Sequence, residues 1–337
     1  MFITFLILAG VLLIFSKAVN RALNNPDDSD FDQQDTAGTQ KKEKDPDFEP
    51  LPMDEEPVFE PVQKEPEPEP VVEQHKPETT PVDKDYSTYG HLFGLIGKPL
   101  AHSTSKVRFN KMFREQHINA YYENFELDSI EQVKDLVDSN PNLCGFNVTI
   151  PYKQDIIPYL NRLDETAQAI GAVNTVKVLH RDGGVELVGY NTDWIGFCKS
   201  FGVLLEGHHK ALVLGTGGVS KAVKYALDYL HIENRFVSRN STFDILGYYE
   251  LSPSVMDEYD VIVNCTPMGM WPETDQCPDI PYTFLSDRHL LLDVIANPDE
   301  TLFMKKGREH GATAKGGKDM LEQQAVAAWE IWNRIGE

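Results

Sequence analysis

The chain has 337 residues, enough for two ordinary domains, and a formal net charge of -22. An acidic chain with no basic stripe argues against a nucleic-acid partner. Its four cysteines (Cys144, Cys198, Cys265 and Cys277) form no CxxC pair and no metal-ligand spacing with histidines, so neither a disulfide framework nor a metal site is expected.

Phe2 to Phe15 is an almost purely apolar run, continued by Ala18 and Val19 past Ser16 and Lys17. At 1.5 Å rise per residue, about 18 residues span roughly 27 Å, marginal for a bilayer. No Lys or Arg precedes the run, as a signal peptide would need, and Lys17 and Arg21 follow it. The reading is an uncleaved N-terminal membrane anchor over 1–23, with the rest of the chain on the cytoplasmic side by the positive-inside rule. A fused upstream segment is the competing reading. Residues 24–88 hold 20 acidic and 6 basic residues, a net of -14, and are rich in proline, as in Glu65-Pro-Glu-Pro-Glu-Pro70. Like charges repel and few apolar residues are available to bury, so this stretch reads as a disordered, extended linker.

From about residue 89 the pattern is that of a folded α/β protein. The apolar runs 91–96, 211–214, 260–263 and 290–294 predict buried strands, and the amphipathic stretches 130–137 and 220–230 predict helices between them. Such alternation implies parallel sheets. Ser103-Thr-Ser105 follows the first strand; its two hydroxyls suit either a carboxylate or the cap of the next helix. Asn147-Val-Thr-Ile-Pro-Tyr-Lys153 and Gly189-Tyr-Asn-Thr-Asp193 each set one ionisable group among neutral hydrogen-bonding residues. With Thr149, Asn174 and Thr175 nearby, that concentration of amides and hydroxyls suits a polyhydroxylated ligand, and a lysine with an aspartate makes a proton-handling pair.

Gly215-Thr-Gly217-Gly218 follows a predicted strand and opens a predicted helix, the context of a pyrophosphate-binding turn. The next strand, Arg235-Phe-Val-Ser-Arg239, ends on Arg239 where an NAD site usually has Asp or Glu. A guanidinium pairs well with a 2′-phosphate, which favours NADP. Asn264-Cys-Thr266-Pro-Met-Gly-Met270 is a polar loop at the C-terminal end of a strand, where ligands sit in such sheets. A proton-transfer pair beside a dinucleotide site points to hydride chemistry on a carbonyl.

These segments, in order, resemble the shikimate dehydrogenase family from Phe93 to Trp332. The match runs through Gly97 to Ser105, Asn147 to Lys153, Gly171-Ala-Val-Asn-Thr175, Gly189 to Phe197, Gly215 to Gly218, Asn264 to Met270, Asp293 to Thr301 and Gly317 to Ala325. The resemblance implies NADP(H)-dependent, reversible reduction of 3-dehydroshikimate to shikimate, a step in chorismate and aromatic amino acid biosynthesis. It implies that Lys153 and Asp193 are the catalytic pair and that Ser103 and Ser105 bind the substrate carboxylate. Thr149, Asn174 and Gln324 would hold ring hydroxyls. Gly215, Gly217, Gly218, Arg239, Thr266 and Gly317 would line the cofactor site.

The family fold implied is α/β with two domains around a cleft. A substrate-binding domain is expected over 89–195 and 313–337, with the C-terminal helix returning to it, and a Rossmann-type NADP-binding domain over 196–312. Monomer and homodimer are both left open. The chain departs from the family where Ala296 replaces a common tyrosine, Lys106 a frequent proline and Phe109 a frequent histidine. Ala296 motivates a rival reading, a quinate or aminoshikimate dehydrogenase. A rival of another class is a membrane-tethered, non-catalytic ligand sensor, against which the retained Lys153 and Asp193 argue.

Overall fold

The computed structural model describes residues 84–101 and 103–334. The anchor expected over 1–23 and most of the linker expected over 24–88 lie outside these residues. No helix among the described residues is long and apolar enough to cross a membrane. The expected linker ends too late, because Tyr86 already belongs to the fold. Its ring is buried, stacks on Tyr121 with centroids 5.8 Å apart, and its hydroxyl donates to Glu123 Oε2 at 2.9 Å. A lone aromatic in an acidic tract gave no sign that it had a cluster to join.

The first sheet contains β1 (His91–Gly97), β2 (Ala120–Glu126), β3 (Leu143–Val148), β4 (Arg162–Leu163), β5 (Thr175–Arg181) and β6 (Gly184–Tyr190), in the spatial order β2-β1-β3-β5-β6-β4. The expected parallel pairing holds for β1 with β2 and β3, but β5 is antiparallel to both β3 and β6. The cause is local. Arg181 faces Gly184 across Asp182-Gly183, a two-residue Asp-Gly hairpin link that needs no crossover helix. Side chains alternate between the faces of β1. Leu92 and Ile96 join Val133 and Leu136 in one core, the latter two from α2 (Val133–Ser139). Phe93 and Leu95 join Phe109 and Phe113 in the other, from α1 (Ser105–Glu115). Fully burying each such side chain contributes roughly 1.5–3 kcal/mol.

After α3 (Glu165–Ile170) and the hairpin, the chain enters α4 (Asp193–Phe201) and the second sheet. This contains β7 (Lys210–Leu214), β8 (Glu233–Ser238), β9 (Ile245–Gly247), β10 (Val261–Asn264), β11 (Leu290–Asp293) and β12 (Thr313–Lys315), ordered β12-β11-β10-β7-β8-β9. Every neighbouring pair is parallel. The central strands are buried along their length, as their unbroken apolar runs predict for a sheet covered on both faces. The helices here are α5 (Gly218–Tyr229), α6 (Pro253–Glu258) and α7 (Leu302–Glu309). Between β8 and β9 there is no crossover helix. Six residues, 239–244, join these parallel neighbours.

The last helix, α8 (Lys318–Trp332), returns to the first sheet. Trp332 Nε1 donates to Val176 O at 2.9 Å, and a Cβ on Gly145 would lie 2.3 Å from that same nitrogen, so the glycine makes room for the indole. The domain limits need correction. β12 is hydrogen-bonded to β11, so Thr313 to Lys315 belong to the second sheet, and the return begins after them rather than at residue 313. The expected break between 195 and 196 falls inside α4, a continuous helix.

Candidate active site

Lys153 and Asp193 come together between the two sheets. Lys153 Nζ donates to Asp193 Oδ2 at 2.7 Å, with the side chains 15% and 2% exposed. Asp193 sits in the first turn of α4, where free N–H groups and the helix dipole favour negative charge. Its own N–H donates to Asn191 Oδ1 at 3.0 Å. Its second oxygen accepts from Asn174 Nδ2 at 2.9 Å. A buried ion pair is tolerable only when its remaining lone pairs are satisfied, and this one meets that condition. The lysine is the more accessible member of the pair. The arrangement is that of an ammonium group held in position to donate a proton.

Asn174 is the hub. Nδ2 also lies 3.0 Å from Thr192 Oγ1 and 3.1 Å from Gln324 Oε1, while Oδ1 accepts from Thr192 N at 2.7 Å. Gln324 arrives on α8, far along the chain, because Gly196 lets that helix approach α4. A Cβ on Gly196 would stand 2.7 Å from Met320 O and 3.2 Å from Gln324 Cβ.

The glycine-rich turn lies directly beside the pair. Gly215 has φ 102°, in the left-handed region where glycine is favoured, and Gly217 caps α5 without a side chain. A Cβ on Gly218 would come within 3.0 Å of Lys153 Cβ, and one on Gly217 would meet nothing within 4 Å. The open N-terminus of a 12-residue helix, free of acidic residues in its first turn, therefore faces the space next to Lys153. These residues fit a dinucleotide phosphate. Arg239 is exposed just past β8, at the start of the 239–244 link. Thr266 sits next to Gly215, but its hydroxyl is engaged within its own loop, donating to Asn264 Oδ1 at 2.7 Å. Gly317 donates its N–H to Ile295 O at 2.9 Å; a Cβ there would lie 2.3 Å from Val294 O. That contact ties the start of α8 to the segment carrying Ala296.

Ser103 and Ser105 flank the start of α1. Ser103 Oγ accepts from Ser105 N at 3.3 Å, and the cap position, Thr104, makes no side-chain cap bond. Thr149 follows β3, with its methyl against Gly97. One residue that joins this network is marked by no motif in the sequence. Tyr122 had no signal at all, being one tyrosine in an ordinary strand; yet its hydroxyl donates to Asn147 Oδ1 at 2.9 Å. Among the described residues no cluster of His, Cys, Asp and Glu is arranged to hold a metal ion.

The family model for the shikimate dehydrogenase substrate binding domain matches residues 95–176. The shikimate dehydrogenase (NADP(+)) of Methanococcus vannielii is 36% identical over 263 residues, 72% of this chain and 90% of that one. The crystal structure of shikimate dehydrogenase from Aquifex aeolicus superposes with a TM-score of 0.63 at 36% identity, covering 74% of this chain and 94% of that one. The quinate dehydrogenase of Corynebacterium glutamicum, solved in complex with NAD, has the same TM-score at 27% identity, covering 72% and 94%. With one relative matched over nine-tenths of its length, and with the family's motifs drawn to one cleft, the chain belongs to the shikimate dehydrogenase family.

Proposed function

We propose that this protein is an NADP-dependent shikimate dehydrogenase, interconverting 3-dehydroshikimate and shikimate. The observation that carries the reading is the closeness of two features: the glycine turn that opens α5 packs against the backbone end of Lys153, whose ammonium group is held by Asp193. NADPH, when bound, supplies the hydride. Lys153 then donates a proton to the oxygen of the reduced carbonyl and stabilises the charge that develops there. Asp193 orients the ammonium and accepts from a substrate hydroxyl. Ser103 and Ser105 hold the substrate carboxylate, and Thr149, Asn174 and Gln324 hold ring hydroxyls. Gly215, Gly217 and Gly218 would receive the pyrophosphate and Arg239 the 2′-phosphate, with Thr266 lining the cofactor site and Gly317 near the nicotinamide. The folded region then divides into a substrate domain on the first sheet with α8, and a nucleotide domain on the second.

Purified full-length protein should turn over shikimate with NADP+ far faster than quinate with NAD+. A preference for the second pair would favour the rival reading, for which Ala296 is the motivating residue. Lys153→Met should lower kcat by about 10²–10⁴-fold while NADPH binding is retained. Survival of turnover in that variant would remove Lys153 from its role. The apolar run from Phe2 to Phe15, followed by Lys17 and Arg21, supports a membrane tether with the enzyme on the cytoplasmic side. Recovery of the full-length protein in the soluble fraction of its host would rule the tether out.

A further inference from the structure

We propose that Tyr122 is a positioning residue for the substrate pocket: its phenol fixes the Asn147 amide, and through it the Asn174–Asp193 array, without touching substrate. The proposal rests on the reading of Lys153, Asn174 and Asp193 as the reacting site.

The Tyr122 side chain is fully buried. A buried hydroxyl without a partner is costly, and this one has Asn147 Oδ1 at 2.9 Å. A phenol carries one proton. Donating it to Asn147 forces that amide to present its oxygen toward β2 and its nitrogen toward β5. Asn147 Nδ2 accordingly donates to Thr175 Oγ1 at 3.1 Å and Asn174 O at 3.2 Å. Thr175 Oγ1 in turn donates to Asn174 Oδ1 at 3.1 Å, which leaves Asn174 Nδ2 for Asp193 and Gln324. The row thus runs in one direction from the phenol to Asn174, whose amide the Thr192 N–H on Oδ1 at 2.7 Å holds in the same sense. Turning the Asn147 amide over would set its oxygen against the Asn174 carbonyl and oblige the phenol to accept rather than donate.

The ring is placed by other means. It stacks on Phe109 with centroids 4.6 Å apart and planes 6° from parallel. The Asn110 amide donates to Tyr122 O at 2.8 Å and accepts from Tyr122 N at 2.9 Å. Tyr122→Phe therefore removes the proton and keeps the ring where it is.

The test compares wild type, Y122F, Asn147→Ala, the double variant and Lys153→Met by steady-state kinetics with shikimate and NADP+. Y122F should raise KM for shikimate about tenfold, with kcat within about threefold of wild type and KM for NADP+ unchanged. The double variant should be no worse than Asn147→Ala alone, since Tyr122 acts through Asn147. Replacing Tyr122 by p-aminophenylalanine, which retains a donor, should restore KM. An unchanged KM in Y122F, a uniform loss of kcat and of both affinities, or effects that multiply in the double variant would each overturn the proposal. Should Y122F not fold, p-fluorophenylalanine at 122 fills the hydroxyl's volume without donating and must give the same KM-selective loss. An active Lys153→Met enzyme would sink the reading of the site itself; an inactive one beside a wild-type KM in Y122F would sink only the role of Tyr122.

Discussion

Arg239 is the side chain we propose to set which cofactor the second sheet accepts. It stands exposed at the end of β8, where a carboxylate would instead receive ribose hydroxyls. A hydrogen bond to a charged group contributes about 1.5–3 kcal/mol, so Arg239→Ala should lower the ratio of kcat/KM for NADPH over NADH by roughly 10- to 100-fold. The NADH value itself should hardly change, because no 2′-phosphate is present to miss the guanidinium. An equal loss with both cofactors would show that Arg239 supports the loop rather than the phosphate. The Lys153–Asp193 ion pair was legible in the sequence because each partner is an ionisable residue in a motif with a chemical reason for it. Tyr122 was not, since its part comes from a neighbour 25 residues away that only the pairing of β1 with β2 and β3 brings near.

At the scale of elements, β7, β10 and β11 could be read from their unbroken apolar runs, and the glycine turn from its place between β7 and α5. The β5–β6 hairpin, β9 and β12 escaped. A three-residue strand carries too little periodicity to register, and the Asp182-Gly183 link is recognisable only once its flanking strands are known. The approach of α8 to α4 depended on something periodicity does not report, the missing side chain of Gly196. Alanine in a helix interior is intrinsically favoured over glycine by about 1 kcal/mol. Here the added Cβ would stand 2.7 Å from the Met320 carbonyl, a backbone atom that cannot turn aside, and the crowding term of about 1–3 kcal/mol should win. Gly196→Ala should therefore lower the melting temperature by a few degrees and raise KM for shikimate by about tenfold, as Gln324 is carried away from Asn174. A more stable variant with unchanged KM would show that α8 is free to shift.

Across the whole molecule, stability should depend on a carboxylate the chemistry does not use. Asp293 closes β11 in the interior of the second sheet, and burial pushes its carboxyl up to about 6. The Thr301 hydroxyl at 2.6 Å, the Ile295 N–H at 3.0 Å and the Asn264 amide at 3.2 Å oppose that rise without cancelling it. These bonds tie β10, β11 and the cap of α7 to the segment that carries Ala296, so the charge is retained at some cost to the fold. Because the folded carboxyl holds its proton more tightly than the unfolded one, the penalty is present at neutral pH. It is relieved as the pH falls through about 6 toward the unfolded value near 4. Between pH 7 and pH 5 the relief is on the order of 1 kcal/mol, or roughly 2–4 °C in melting temperature for a folded region of this size. Exposed carboxylates held low by their partners, such as Asp128 beside Lys98 and Glu186 beside Arg162, act in the opposite sense only at lower pH. The comparison is therefore wild type against Asp293→Asn over that window. Wild type should gain on the variant as the pH drops, and parallel melting curves at pH 7 and pH 5 would show that Asp293 titrates like an ordinary carboxylate.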